Sequence, residues 1–206
     1  MAPPVKPRST YRQQQAAATR ERIAEAARRL FASAGYGSTS MEAIAAEAGV
    51  AVRTVYAAFG AKREILSFIC ERWLEQARAR ERAAEVLAEP DPARRLRAAA
   101  SWLRALYAAG FDVVMIFEAA NDESAETRAL LRSKLAGRND AMDAMIASLE
   151  GHLRAPVHEV HAVYRALAAP GVYRELVEES GWTPDAFERW AGDTLERFAR
   201  EGRASG

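Results

Sequence analysis

The chain has 206 residues, 50% hydrophobic and 28% charged, with one cysteine and a formal net charge of +1. That is a globular composition, long enough for one large domain or a small domain joined to a larger one, and it excludes fibrous and disordered classes. The lone Cys70 excludes an internal disulfide framework and a four-cysteine metal site, and fits a reducing compartment.

The charge is unevenly spread. Residues 1–72 carry eleven Lys or Arg against six Asp or Glu, and the remainder carries eighteen against twenty-two. A basic amino-terminal third on a slightly acidic body suits a polyanionic partner for that third. The opening MAPPVKPRSTYRQQQ holds no apolar core of signal-peptide length, and no window of eighteen residues lacks a charge. A cytoplasmic protein with no membrane partner is expected.

Residues 1–15 contain Pro3, Pro4 and Pro7 with Lys6, Arg8 and Arg12, and read as a flexible basic arm. From Ile23 the apolar positions Ile23, Ala26, Ala27, Leu30, Phe31 and Ala34 form one helical stripe, which Gly35 can end while Tyr36 packs back on Phe31. Thr39 and Glu42 form a capping box for a short second helix with its stripe at Met41, Ile44, Ala45 and Ala48. Gly49 ends it, and Val52, Val55, Tyr56 and Phe59 begin a third stripe at once. Three short helices joined by a glycine turn define a helix-turn-helix domain over 16–61.

A fourth helix is predicted over 62–86, carrying Ile65, Leu66, Ile69 and Trp73 inward. Asp91 and Pro92 cap the next, which runs through Leu96, Leu103 and Leu106. The apolar FDVVMIFE at 111–118 has strand-like composition, but no second strand exists to pair with it, so helix is predicted. Ser124 opens a long helix along Leu131, Leu135, Met142, Ile146, Leu149 and Leu153. Amphipathic helices over 157–168 and 184–200 close the chain, the last capped by Thr183 with Pro184 at its first position. The fold class is therefore all-α, a helix-turn-helix domain followed by a larger helical domain over 62–206.

The third helix carries the chemistry. At 100° per residue, Val52, Val55, Tyr56 and Phe59 face one side and Arg53, Thr54, Ala57 and Ala58 the other. Small outward residues let a backbone sink into a major groove, where Arg53 can pair bidentately with a guanine edge and a Thr54 or Ala57 methyl can touch a thymine methyl.

The segment TRERIAEAARRLFASAGYGSTSMEAIAAEAGVAVRTVYAAFGAKREIL resembles the DNA-reading domain of the TetR family of transcriptional regulators. The signature positions match at Phe31, Gly35, Tyr36, Thr39, Ile44, Ala45, Gly49, Val50, Thr54, Tyr56, Phe59 and Lys62. Departures are Ala51 in place of a serine cap, Arg53 where glycine is common, Ala57 and Ala58 where Tyr or His often precedes the phenylalanine, and Ala61 in place of serine. The resemblance implies that Thr39, Tyr56 and Lys62 touch phosphates, as a hydroxyl, a phenol and an ammonium commonly do.

The resemblance also implies an effector-binding, dimerising domain. Trp102, Leu106, Tyr107, Phe111, Met115, Phe117, Met142 and Met145 can enclose an apolar pocket, and Glu118, with Asn121 and Asp122, can add acidic or hydrogen-bonding selectivity. The broad aromatic stripe of the last helix, Phe187, Trp190, Leu195 and Phe198, with Tyr164 on the preceding one, is expected to form a homodimer as a four-helix bundle. His158 and His161 share a helix face, but His161 lies on the apolar stripe and no metal is expected. No cofactor is expected either, and no nucleophile and base motif or phosphate loop points to an enzyme.

The expected function is a ligand-responsive repressor that binds double-stranded operator DNA and is released by a small, largely hydrophobic effector. A helical small-molecule-binding enzyme and a non-specific architectural DNA binder are the alternatives.

Overall fold

A computed structural model describes residues 8–201, with side chains from residue 11 onward. The chain forms two compact units. Unit 1 comprises Met1–Arg72 with Met115–Leu131, and unit 2 comprises Trp73–Val114 with Arg132–Gly206. Every regular element among the described residues is helical.

Unit 1 begins with α1 (Arg8–Ala34), which starts well ahead of the predicted stripe. The arm reading therefore fails for residues 8–15, while 1–7, with Lys6 and three prolines, lie outside the described residues. The reason is propensity: Gln13 to Ala18 are good helix formers, and a helix already nucleated by packing extends through them although their side chains are exposed. Ile23, Ala26, Ala27 and Phe31 are buried as the spacing required.

Gly35, at φ +88, stops α1, and its N–H donates to the Phe31 carbonyl. Tyr36 packs edge-on against Phe31 with ring centroids 5.0 Å apart. The second helix, α2 (Met41–Ala48), is capped by Ser40 and not by Thr39: Ser40 Oγ accepts from the Ala43 N–H at 3.1 Å. Thr39 is taken by the turn itself, its hydroxyl donating to the Gly35 carbonyl at 2.8 Å. Gly49 at φ +63 closes α2, and α3 (Val52–Phe59) follows with Val55 and Phe59 buried.

The predicted fourth helix is two. α4 (Lys62–Gln76) ends before Ala77, and α5 (Ala79–Ala88) begins after Arg78, whose φ of +50 is the one left-handed non-glycine backbone among the described residues. Ile65, Leu66 and Ile69 of α4 are buried as predicted.

In unit 2, Asp91 caps α6 (Pro92–Ala108) by accepting from the Arg94 N–H at 2.8 Å. The FDVVMIFE segment is helical, within α7 (Phe111–Asn121). α8 (Ala125–Ala147) is capped by Ser124 but stops short of the predicted Leu153. α9 (Val157–Leu167), the single turn α10 (Pro170–Tyr173), a π-helical turn at Arg174–Glu179 and α11 (Pro184–Glu201) complete the chain.

α6 and α11 form the main packing of unit 2. The two helices pass closely at Gly192 of α11, where a Cβ would make ordinary contact with Arg97 Cα at 3.5 Å. Flanking ion pairs join Arg97 to Asp193 and Glu196, and Arg104 to Asp185. Two indoles bond across unit 2: Trp73 Nε1 donates to the Leu106 carbonyl at 2.9 Å and Trp102 Nε1 to the Ala79 carbonyl at 2.8 Å. No single described helix is long and apolar enough to cross a membrane.

Candidate nucleic-acid interface

α3 presents a sparse outer face. Arg53 and Ala57 are exposed, Thr54 and Ala58 are half-buried, and no described side chain pairs with Arg53. Tyr56 departs from the helical-wheel reading. It is 48% exposed and so belongs to the rim of this face, with its hydroxyl free for a phosphate, and not to the inner stripe. The inward role falls to Val55 and Phe59 alone.

The back of α3 is held by a residue that sequence reading did not single out. Arg20 of α1 donates from Nη1 to the Ala58 carbonyl at the end of α3, and its guanidinium lies over the Phe59 ring, 4.3 Å from the centroid, and 5.2 Å from that of Phe68. A cation beside an edge-on pair of rings, and bonded to a helix-end carbonyl, fixes the exit of α3. An arginine before an apolar stripe gives no sequence signal of this, because its partners lie far along the chain.

Two expected phosphate contacts are placed differently. Thr39 is only 4% exposed and its hydroxyl is bonded inward. Lys62, at the start of α4, directs Nζ into the α1–α2 turn, donating to the carbonyls of Tyr36 at 2.6 Å, Thr39 at 2.9 Å and Gly37 at 3.2 Å. All three ammonium hydrogens are so engaged, and the ammonium also sits 4.4 Å from the Tyr36 ring centroid. In this arrangement Lys62 clamps the turn. Burial lowers its pKa, while the charge of Glu123 acts in the opposite direction. The Tyr36 phenol is pushed up by burial, against a hydrogen bond from Thr127.

Of the expected effector residues, Trp102, Leu106, Met142 and Met145 are buried in unit 2, and Phe111 is half-buried there. Met115, Phe117 and Glu118 fall in unit 1, where Phe117 is buried and Glu118 exposed. Phe111 joins an aromatic cluster in unit 2: Tyr173 lies 4.5 Å from Tyr107, 4.9 Å from Phe111 and 5.0 Å from Phe187 between ring centroids. Tyr107 anchors it, its hydroxyl donating to the Ala168 carbonyl at 2.7 Å.

The expected dimer residues also divide. Tyr164, Phe187 and Leu195 are buried inside the chain's own core, and the Tyr164 hydroxyl donates to the Ala99 carbonyl at 2.8 Å, so these three have no surface to offer a partner. Trp190 and Phe198 remain half-buried, and Trp190 stands edge-on to Trp182 at 6.0 Å. His161 places Nδ1 3.6 Å from Asp143, which is also bonded by Arg165 at 2.6 Å. Among the described residues no group of three His, Cys, Asp or Glu could hold a metal.

The geometry defines a class: an all-helical protein whose amino-terminal unit offers a short, small-residue helix on a stiffened helix-turn-helix frame. Residues 23–67 match the family model described as bacterial regulatory proteins, tetR family. The fold extends the likeness over most of the chain. The transcriptional regulator FadR from Bacillus subtilis, solved in complex with stearoyl-CoA, superposes with a TM-score of 0.70 at 16% identity, covering 89% of this chain and 99% of that one. The fatty acid degradation regulator FadR from Bacillus halodurans gives a TM-score of 0.68 at 17% identity, over 86% and 94%. A transcriptional regulator from Aquifex aeolicus gives 0.68 at 22% identity, over 87% and 99%. No curated protein matches the sequence.

Proposed function

We propose that the protein is a homodimeric, ligand-responsive transcriptional regulator that reads operator DNA through α3 and acts as a repressor in the cytoplasm, not as an enzyme. The observation that carries this reading is the outer face of α3. Arg53 stands exposed and unpaired among Thr54, Ala57 and Ala58, on a helix whose back is fixed by Val55, Phe59 and Arg20. A rigid helix with one long cation and otherwise small side chains fits a major groove, where arginine reads guanine.

Within this reading, residues 16–61 hold the reading helices, and residues 62–206 serve effector binding and dimerisation. Tyr56 and Thr54 border the DNA. Trp190 and Phe198 are the residues left to meet a second copy. The effector is a small, largely hydrophobic molecule, a class that the apolar and aromatic content of α6 and α8 supports, as does the likeness in fold to a regulator solved with stearoyl-CoA. Effector binding would favour a dimer state whose two copies of α3 no longer match successive major grooves.

The test is selection of bound fragments from a random DNA pool at fixed salt. A regulator recovers a preferred sequence, with a two-fold repeat if it is a dimer. A protein bound only through phosphates recovers none.

A further inference from the structure

Two glycines flank Tyr36, and they answer different needs. Gly35 has φ +88 with open space where a Cβ would stand, so its role is conformational. Gly37 lies outside the left-handed region. A Cβ built there would instead overlap the carboxylate of Glu123, both oxygens and the carbon. Position 37 is open because an acidic side chain from far along the chain rests on it.

Glu123 lies in the corner between α7 and α8, among the residues Met115–Leu131 that belong to unit 1 with the reader. Thr127 of the same corner acts on the Tyr36 phenol, opposing the rise that burial gives its pKa. The corner is stiff in itself. Ser124 Oγ accepts from the Thr127 N–H at 3.1 Å and lies 3.0 Å from Thr127 Oγ1, and Arg128 Nε donates to the Asn121 carbonyl at 3.0 Å. From the other side, Lys62 draws together the carbonyls of Tyr36, Gly37 and Thr39. The turn that sets the angle between α1 and α2 is thus held from within by Lys62 and from without by the α7–α8 corner.

We propose that Glu123 is a positioning residue for DNA reading: seated on Gly37 beside Lys62, its carboxylate fixes the α1–α2 turn, and so the α7–α8 corner sets the reader's grip on DNA. This deepens the DNA-binding reading above and rests on it. Electrostatics alone predicts the opposite sign, since removing an acidic charge from a DNA binder tightens binding to every sequence.

The experiment uses the full chain with Glu123→Ala, Gly37→Ala and the double substitution. Hydrogen exchange is followed without DNA, and binding is measured to the fragment recovered by selection and to a random duplex of equal length. Glu123→Ala should speed exchange of amides 36–40 about tenfold, while α4 amides 65–70 keep wild-type protection. It should weaken the selected fragment about tenfold and leave the random duplex unchanged or tighter. Gly37→Ala should reproduce this by displacing the carboxylate, and the double substitution should be no worse than the stronger single one, because both break one contact. Wild-type exchange at 36–40 in Glu123→Ala would overturn the proposal, as would faster exchange with undiminished affinity for the selected fragment. A wild-type protein that prefers no sequence removes the DNA-reading premise, and the exchange arm, which needs no DNA, tells that failure apart.

Discussion

Lys62 Nζ donates to the Tyr36 carbonyl at 2.6 Å while its ammonium lies over the Tyr36 ring, so one side chain closes both the backbone and the aromatic side of the α1–α2 turn. The cation's donors are consumed inside the reader, which makes Lys62 part of the frame behind α2 and α3. Lys62→Met keeps the aliphatic stem and removes the donors. It should lower stability by about 1–3 kcal/mol, by the cost of stranding carbonyls that water only partly recovers. Thermal unfolding measures this. In DNA titrations across salt, the slope of log affinity against log salt should be unchanged, whereas a lost phosphate contact would reduce it by about one.

Gly192 offers a change of the opposite sign. It lies in mid-helix at the α6–α11 contact, outside the left-handed region, and a Cβ there would meet Arg97 and Ala100 at 3.5–3.6 Å, ordinary contact distances. Gly192→Ala should therefore add helix propensity without a clash and stabilise the protein by about 0.5–1 kcal/mol, a rise of about 1–4 °C in Tm. Gly192→Leu, too long for the gap, should lower Tm through overpacking.

Tyr164 ties stability to alkaline pH. Burial raises its phenol pKa well above the ordinary 10.0, and burial also raises those of Tyr36 and Tyr173. In the folded protein these phenols stay protonated at a pH where the unfolded chain releases them. The stability they contribute is complete below pH 10 and falls as pH rises beyond it. Tyr164→Phe, which also loses the hydroxyl bond to Ala99, should be less stable by about 1 kcal/mol at pH 7. The gap in Tm between wild type and Tyr164→Phe should then narrow from pH 9 to pH 11, and a gap constant over that range would show that the phenol does not titrate with unfolding.

The helices around the reader were legible because glycine and periodicity act locally. Gly35 and Gly49 sit where chain reversal needs φ above zero, and the stripe of Ile44, Ala45 and Ala48 needs no distant information. The Arg78 break was hidden, since no glycine or proline marks it and two indoles hold the flanking helices from afar. Arg20, Glu123 and the clamp by Lys62 were hidden for the same reason: each meets a partner at least twenty-three residues away. The wide stripe of α11 marks a face that packing must cover. Sequence could not say that Phe187 and Leu195 find it on their own chain, because an apolar stripe carries no mark of whether its partner is internal.

That division sharpens the dimer prediction to Trp190 and Phe198. Phe198→Glu introduces a charge on a half-buried surface beside Ala199, whose carbonyl accepts from Arg154 and Ala155. In the proposed dimer the buried charge should cost several kcal/mol of association. Sedimentation should show dimer for the wild type at micromolar concentration and monomer for Phe198→Glu, with equal helix content by circular dichroism. A wild-type monomer, or a variant that stays dimeric, would place the contact elsewhere.

If α3 reads bases through Arg53, Arg53→Ala compared with wild type on the fragment recovered by selection and on a random duplex, at one salt concentration, separates the two duplexes. Binding to the selected fragment should weaken by about 1–3 kcal/mol, with preference relaxed at one base pair in each half-site, while random DNA binding changes by no more than the loss of one surface charge. An equal loss on both duplexes would make Arg53 a phosphate contact, and would contradict the claim that this face enters the groove.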